Sequence, residues 1–116
     1  MKQLLCTAAA AVALSLASLP VVAAEAAQDA MASAKEKAAS LCASCHGADG
    51  KTPADPSYPI IAGQYADYLT VALKAYKSGQ RKNPIMAGMV GALSTAELEA
   101  LAKLYSAMPG PLSYKR

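Results

Sequence analysis

Apolar side chains recur with a helical spacing in the second half of the chain. Between Gln64 and Ser78 they fall at positions i, i+4, i+7, i+8 and i+11, which is one stripe along a helix. These residues are Tyr65, Leu69, Ala72, Leu73 and Tyr76. Gly79 follows at once and is expected to end the helix, because glycine adopts the left-handed conformation of a helix C-terminus.

A second apolar stripe begins after Leu93. Ser94 and Glu97 have the spacing of a capping box, in which each side chain accepts a hydrogen bond from the backbone of the other residue. The predicted buried positions are Leu98, Leu101, Leu104 and Tyr105. Pro109 and its neighbours should end this helix soon after Met108.

The first half of the chain predicts one more helix, over Asp29–Ser40, followed by a loop. Prolines and glycines exclude a long helix between Ala48 and Ala62, and they lead us to expect a second loop over Gly79–Leu93. No run rich in Val, Ile and Thr alternates as a strand would. The sequence therefore predicts an all-α fold of three to four helices and loops.

Residues 1–24 have the pattern of a cleaved secretory signal peptide. Lys2 gives a positive start, an Ala- and Leu-rich apolar run follows, and small residues precede an expected cleavage after Ala24. A membrane anchor is the alternative, but the apolar run is short for a span of ~20 residues. We therefore expect an exported, periplasmic protein whose single domain is residues 25–116, with no stable membrane insertion.

Composition limits what this domain can be. Without Lys2, ten basic residues face eight acidic ones, and no basic run with aromatic residues between suggests nucleic-acid binding. The chain has no Trp and no Phe. A domain of about 90 residues is marginal without a disulfide, metal or other cross-link, so a bound group is expected to complete the core.

The segment Cys42-Ala43-Ser44-Cys45-His46 can bind such a group. Cys-x-x-Cys-His is the attachment pattern of c-type haem. On a helical turn, positions i, i+3 and i+4 share one face. Cys42 and Cys45 can therefore form thioethers with the haem vinyl groups, while His46 lies under the iron as an axial ligand.

Three other interpretations of the motif explain its residues less well. A zinc site needs about four ligands, and the chain offers no second cluster of Cys or His. A thioredoxin-like pair needs a preceding strand, which the sequence does not predict. A plain disulfide would leave the single histidine without a role. Covalent attachment of one haem c, with its iron, explains all three residues.

The sequence indicates the second axial ligand of the iron less directly. With His46 as the only histidine, a bis-histidine haem is excluded, so the sixth position holds a methionine, holds a weaker ligand, or is open. The methionines after residue 24 are Met31, Met86, Met89 and Met108. Met31 precedes the haem motif and Met108 lies in a final helical turn, so both are poorly placed. Met86 is expected in a loop that could reach the iron from the side opposite His46. Met89 remains a competitor.

Several segments follow one another in a recognisable order. They are the haem motif, Tyr58-Pro59-Ile60-Ile61-Ala62-Gly63-Gln64, Tyr68-Leu69, Gly79-Gln80-Arg81, Pro84-Ile85-Met86 and Leu93-Ser94. With these segments the chain resembles class I cytochromes c, in particular the short bacterial single-haem branch similar to cytochromes c553 and c4. The resemblance covers nearly all of residues 25–116. The resemblance implies the cytochrome c fold wrapped around one covalent haem.

It also implies roles for particular residues. Met86 would be the sixth ligand of the iron, and the backbone carbonyl of Pro59 would accept a hydrogen bond from His46. The first and last helices would cross, with Ala34 and Ala38 facing Tyr105.

The function expected from these residues is electron transport. Two filled axial positions leave no site for oxygen or peroxide, and no second histidine is present to act as an acid or base. We therefore expect a monomeric carrier rather than an enzyme. It would move single electrons from a dehydrogenase or reductase complex to a terminal oxidase or reductase. A permanently bound subunit of a larger redox enzyme is the alternative.

A cluster of basic residues could steer such a carrier to its partners, or could be an ordinary solvated face. It consists of Lys74, Lys77, Arg81 and Lys82.

Overall fold

Helices account for all the regular structure in residues 19–113, the part of the chain that the computed structural model describes. Helix α1 spans Leu19–Lys37 and continues through a five-residue π-helical turn, Ala38–Cys42, into the short helix α2, Ala43–His46. Helices α3, α4 and α5 span Ala66–Ser78, Pro84–Val90 and Thr95–Ala107. The all-α prediction is confirmed. Most of the predicted signal peptide lies outside the described residues, and its cleavage stays a prediction.

The core forms where α1 and α3 each pack against α5. Leu98 and Leu101 of α5 are its largest fully buried side chains. Ala34 and Ala38 belong to the same buried cluster as Tyr105. The predicted first helix is therefore the last part of α1 together with the π-turn, and its small residues allow the two helices to approach closely.

A polar contact reinforces the crossing of α1 and α5. The Ser94 backbone N–H donates to Glu97 at 2.8 Å, and the Glu97 N–H donates to the Ser94 hydroxyl at 3.2 Å, which confirms the predicted capping box. The Ser33 hydroxyl of α1 donates to the other oxygen of Glu97 at 2.6 Å. These hydrogen bonds, that of Ser33 first, lower the pKa of Glu97 to about 2.

Helix α3 follows the prediction except at its start. Gly79 ends it in the left-handed conformation, at φ 76°, as expected. Leu69 is buried, and Leu73 and Tyr76 pack against the core. Tyr65, however, precedes the helix and is 55% exposed, so its inclusion in the buried stripe was wrong.

The prediction of an unbroken loop over residues 79–93 was also wrong, because this segment contains α4. Asn83 caps the helix by accepting a hydrogen bond from the Met86 backbone N–H at 3.0 Å. Pro84 occupies the first turn, where proline leaves no helical hydrogen bond unmade. Met86 therefore lies on a helix rather than in a loop.

No single helix within residues 19–113 is long and apolar enough to cross a membrane. Helices α4 and α5 would pass that test only if taken together across a bend of 110°.

Candidate functional site

A cavity of about 430 Å³ is lined by the π-turn, by helices α2 to α5 and by the loop between α2 and α3. Its volume lies in the range of ~300–1,000 Å³ typical of cofactor and ligand sites. Most of its lining is apolar, and Leu69, Val90, Leu93 and Leu101 connect it directly to the core.

Both cysteines of the predicted motif line this cavity. Cys42 is the last residue of the π-turn and Cys45 lies in α2, so the thiols are three residues apart on one helical path. Each is a half-buried free thiol. Burial raises the pKa of the Cys42 thiol, and a contact with the Tyr105 hydroxyl partly opposes this effect. The two sulfur atoms are therefore presented to a single ligand on one wall.

His46 occupies the same wall and is buried, with 7% of its surface exposed. Its Nδ1 lies 2.8 Å from the Pro59 carbonyl oxygen, the contact that the resemblance implied. A carbonyl oxygen can only accept, so the proton of a neutral imidazole must be on Nδ1. Nε2 then keeps its lone pair and is free to bind a metal.

Met86 and Met89 line the cavity from α4, one helical turn apart. Met86 is half-buried and packs against the core cluster, whereas Met89 is 40% exposed. Burial therefore favours Met86 as the thioether that reaches into the cavity. Met31 and Met108 pack against the core and do not line the cavity.

Arg81 is the one permanently charged side chain that lines the cavity among the described residues, and no carboxylate joins it. Its guanidinium lies over the Tyr76 ring at 5.1 Å from the ring centre, which is within the range of a cation–π contact. The sequence pattern indicates Arg81 only as part of a basic cluster, not as a residue of the site. Its backbone N–H donates to the Ala75 carbonyl at 3.0 Å, so the turn at Gly79 folds it back towards α3.

The predicted basic cluster is not a single free surface. Lys74 pairs with Glu99 of α5 at 2.7 Å, and Lys77 donates to the backbone carbonyls of Gly91 and Leu93. These two ammonium groups hold helices together, whereas Arg81 contacts the Tyr76 ring of α3.

These features fit a covalently attached haem. The ring of a haem is flat and apolar, its edge carries two carboxylates, and its iron takes one ligand from each face. The cavity offers apolar walls, one guanidinium, an imidazole nitrogen with a free lone pair and, from α4, a thioether. The two thiols on the histidine wall have the spacing for attachment.

Comparison with known proteins agrees with this fit. The family model for cytochrome c matches residues 31–104, well over half of the chain. The chain belongs to the cytochrome c family. Haem c with its iron is therefore its cofactor, and Cys42 and Cys45 fit the Cys-x-x-Cys-His motif by which the family binds it covalently.

Individual relatives are bacterial proteins, among them several cytochromes. The cytochrome c-554(548) of Halomonas halodenitrificans is 41% identical over 78 residues, which cover 65% of this chain and 93% of the relative. The thiosulfate dehydrogenase electron acceptor of Stutzerimonas stutzeri is 45% identical over 74 residues, covering 64% of this chain and 34% of the relative. The cytochrome c4 of Stutzerimonas stutzeri is 38% identical, with 64% and 39% covered.

These matches confirm the predicted relationship to class I bacterial cytochromes c, and with it electron transfer through a c-type haem. The chain spans only 34% of the electron acceptor and 39% of cytochrome c4, but nearly the whole of cytochrome c-554(548).

Proposed function

We propose that this protein is a periplasmic carrier of single electrons, with His46 and Met86 as the two axial ligands of one haem c and no catalytic turnover of its own. Cys42 and Cys45 would hold the haem through thioether bonds. The observation that carries the proposal is that two possible iron ligands line one cavity from different helices. His46 faces it from α2, with Nε2 free, and Met86 faces it from α4.

Haem c supplies an iron that accepts and releases one electron without making or breaking a bond to a substrate. The protein groups would set how readily this occurs. A methionine ligand favours the reduced iron more than a second histidine would, and so raises the reduction potential. The hydrogen bond to the Pro59 carbonyl fixes the orientation of the His46 ring and makes Nε2 a stronger ligand for the iron.

The same arrangement argues against an enzyme. A haem peroxidase or oxygenase needs an open axial position with an acid or base above it. Here α4 lines the cavity with the thioethers of Met86 and Met89, and the chain contains no second histidine. Both faces of the iron would be occupied, which leaves transfer through the haem edge.

A dehydrogenase is the proposed class of electron donor. Two relatives, at 45% and 43% identity, are thiosulfate dehydrogenase electron acceptors. A terminal oxidase or reductase would accept the electron in turn. The Ala- and Leu-rich N-terminal pattern supports export to the periplasm.

Substitution of the two cavity methionines tests the ligand assignment. Met86→Ala should leave the haem attached, abolish the weak red-edge absorption band of a His/Met haem, lower the reduction potential and let carbon monoxide bind the reduced iron readily. Met89→Ala should retain the parent spectrum. It should lower the free energy of unfolding by less than the ~2–5 kcal/mol expected for truncation of a fully buried methionine, because Met89 is 40% exposed.

Two results would contradict the proposal. If Met89→Ala gains carbon monoxide binding while Met86→Ala keeps the parent spectrum, the ligand is Met89. If neither variant changes the spectrum, the haem has no methionine ligand, and a ligand-binding function becomes the better hypothesis.

A further inference from the structure

Helix α4 carries the proposed ligand but has few apolar contacts to hold it. Val90 is its one buried side chain, with 3% exposed. Ile85 is 55% exposed and Met89 40% exposed. Hydrophobic stabilisation grows with the apolar area removed from water, so burial alone fixes this seven-residue helix weakly. Its position must depend on other contacts.

A polar cap completes the first turn of α4, and contacts from α3 hold its C-terminal end. At the N-terminal end, the Asn83 side chain accepts from the Met86 N–H at 3.0 Å. At the C-terminal end, the Lys77 ammonium group donates to the Gly91 carbonyl at 3.1 Å and also to the Leu93 carbonyl. A cation at a helix C-terminus interacts favourably with carbonyls that have no helical partner.

We propose that Lys77 is a positioning residue that keeps Met86 at the haem iron, by tying the C-terminal end of α4 to α3. This inference rests on the proposed function, since it needs Met86 to be the ligand. Lys77 acts from a neighbouring helix and touches neither Met86 nor the iron. Without it, α4 keeps its N-terminal cap and Val90 but loses both ties to α3 at its other end.

Lys74 provides a matched control on the same helix. It lies one turn before Lys77 and carries the same charge, but its partner is Glu99 of α5, at 2.7 Å. Lys74→Ala and Lys77→Ala therefore remove the same side chain from α3 and break ties to different helices. Only the Lys77 variant should lower the fraction of molecules in which Met86 is bound to the iron.

Titration of the oxidised holoprotein with imidazole measures this directly. Imidazole can bind the iron only when Met86 has left it, so its apparent affinity is the intrinsic affinity multiplied by the fraction of molecules with an open position. Loss of two charge-assisted hydrogen bonds, one exposed to solvent and the other partly buried, should raise that fraction about tenfold. Lys77→Ala should thus bind imidazole about tenfold more tightly than the parent. Lys74→Ala should stay within about twofold.

Two further variants complete the test. Lys77→Arg keeps a cationic donor and should restore most of the parent affinity. Met86→Ala should bind imidazole far more tightly than the parent, and adding Lys77→Ala to it should have no further effect, because there is no ligand left to position. Denaturant unfolding of each variant separates this effect from general stability.

The outcomes distinguish the two proposals. If Met86→Ala leaves imidazole binding unchanged, the ligand assignment fails and this inference fails with it. If Met86→Ala tightens binding but Lys77→Ala does not, Met86 is the ligand and Lys77 does not position it. Equal tightening in Lys74→Ala and Lys77→Ala would also overturn the inference, because both would then act only through stability.

Discussion

Gly50 joins the loop after the haem motif to the core, and its replacement by alanine should be among the most disruptive small changes in the chain. The residue is buried at φ 66°, and its carbonyl accepts from the backbone N–H groups of Ile61 and Ala62, both at 2.9 Å. A Cβ atom there would lie 2.9 Å from Cδ1 of Tyr105 and 3.3 Å from Cβ of Ala62. Tyr105 lines the haem cavity, so a shift of its ring would reach the site.

Two effects should lower the free energy of unfolding in Gly50→Ala. The left-handed backbone costs a non-glycine residue roughly 1–2 kcal/mol. Forcing a methyl group against a packed ring costs a further ~1–3 kcal/mol. The free energy of unfolding should therefore fall by about 2–5 kcal/mol, which is a large share of the ~5–15 kcal/mol that stabilises a typical domain.

Gly79→Ala is the control that separates these terms. Gly79 has a similar φ of 76°, but a Cβ atom would meet nothing within 4 Å, so only the backbone term applies. Both variants would be unfolded with denaturant as holoproteins, followed by far-UV circular dichroism and by haem absorbance. Losses of equal size would refute the argument, because they would mean that contact with Tyr105 adds nothing.

Two further predictions concern the cofactor and acid stability. Cys45→Ala should sharply lower the yield of holoprotein, as measured by haem absorbance per chain, and the apoprotein should lack cooperative unfolding because the haem completes the core; a well-folded apoprotein would contradict this. The hydrogen bonds that lower the pKa of Glu97 to about 2 stabilise the fold fully above its unfolded value of 4.5, and this contribution disappears as pH falls from about 4.5 to about 2. Ser33→Ala should therefore destabilise the protein at neutral pH, with a difference from the parent that shrinks across that window; a difference independent of pH would exclude this linkage.

Local sequence patterns predicted those parts of the fold that local interactions determine. The capping box at Ser94 and the stop at Gly79 depend on residues within a few positions of each other, and both were confirmed. Helix α4 was missed because Pro84 and Gly88 suggested a loop. Asn83 followed by proline is in fact a helix-start signal, and Gly88 stands where a Cβ atom would meet nothing within 4 Å.

The candidate site also contains some features that a local pattern predicts and others that depend on contacts between distant positions. Cys42, Cys45 and His46 could be identified because attachment chemistry fixes their spacing. The contact of His46 with Pro59 crosses 13 positions and came from the family resemblance. The bonds from Lys77 to carbonyls 14 and 16 positions away had no signal in the sequence, because backbone acceptors look the same whatever residue carries them.

The π-helical turn at Ala38–Cys42 separates two faces of one continuous helical path. Upstream of it, Ala34 packs in the core cluster that also contains Tyr105; downstream, the haem motif faces the cavity. A π-turn accommodates one residue more than the α-helical turn it replaces, and each residue of an α-helix turns the chain by about 100°. Deleting one residue here, such as Ala39, would turn the haem-binding face away from the cavity or pull Ala34 off the core. The number of residues in this segment is therefore under stricter constraint than the identity of those before Cys42, and substitutions among small residues there should be tolerated where insertions and deletions are not.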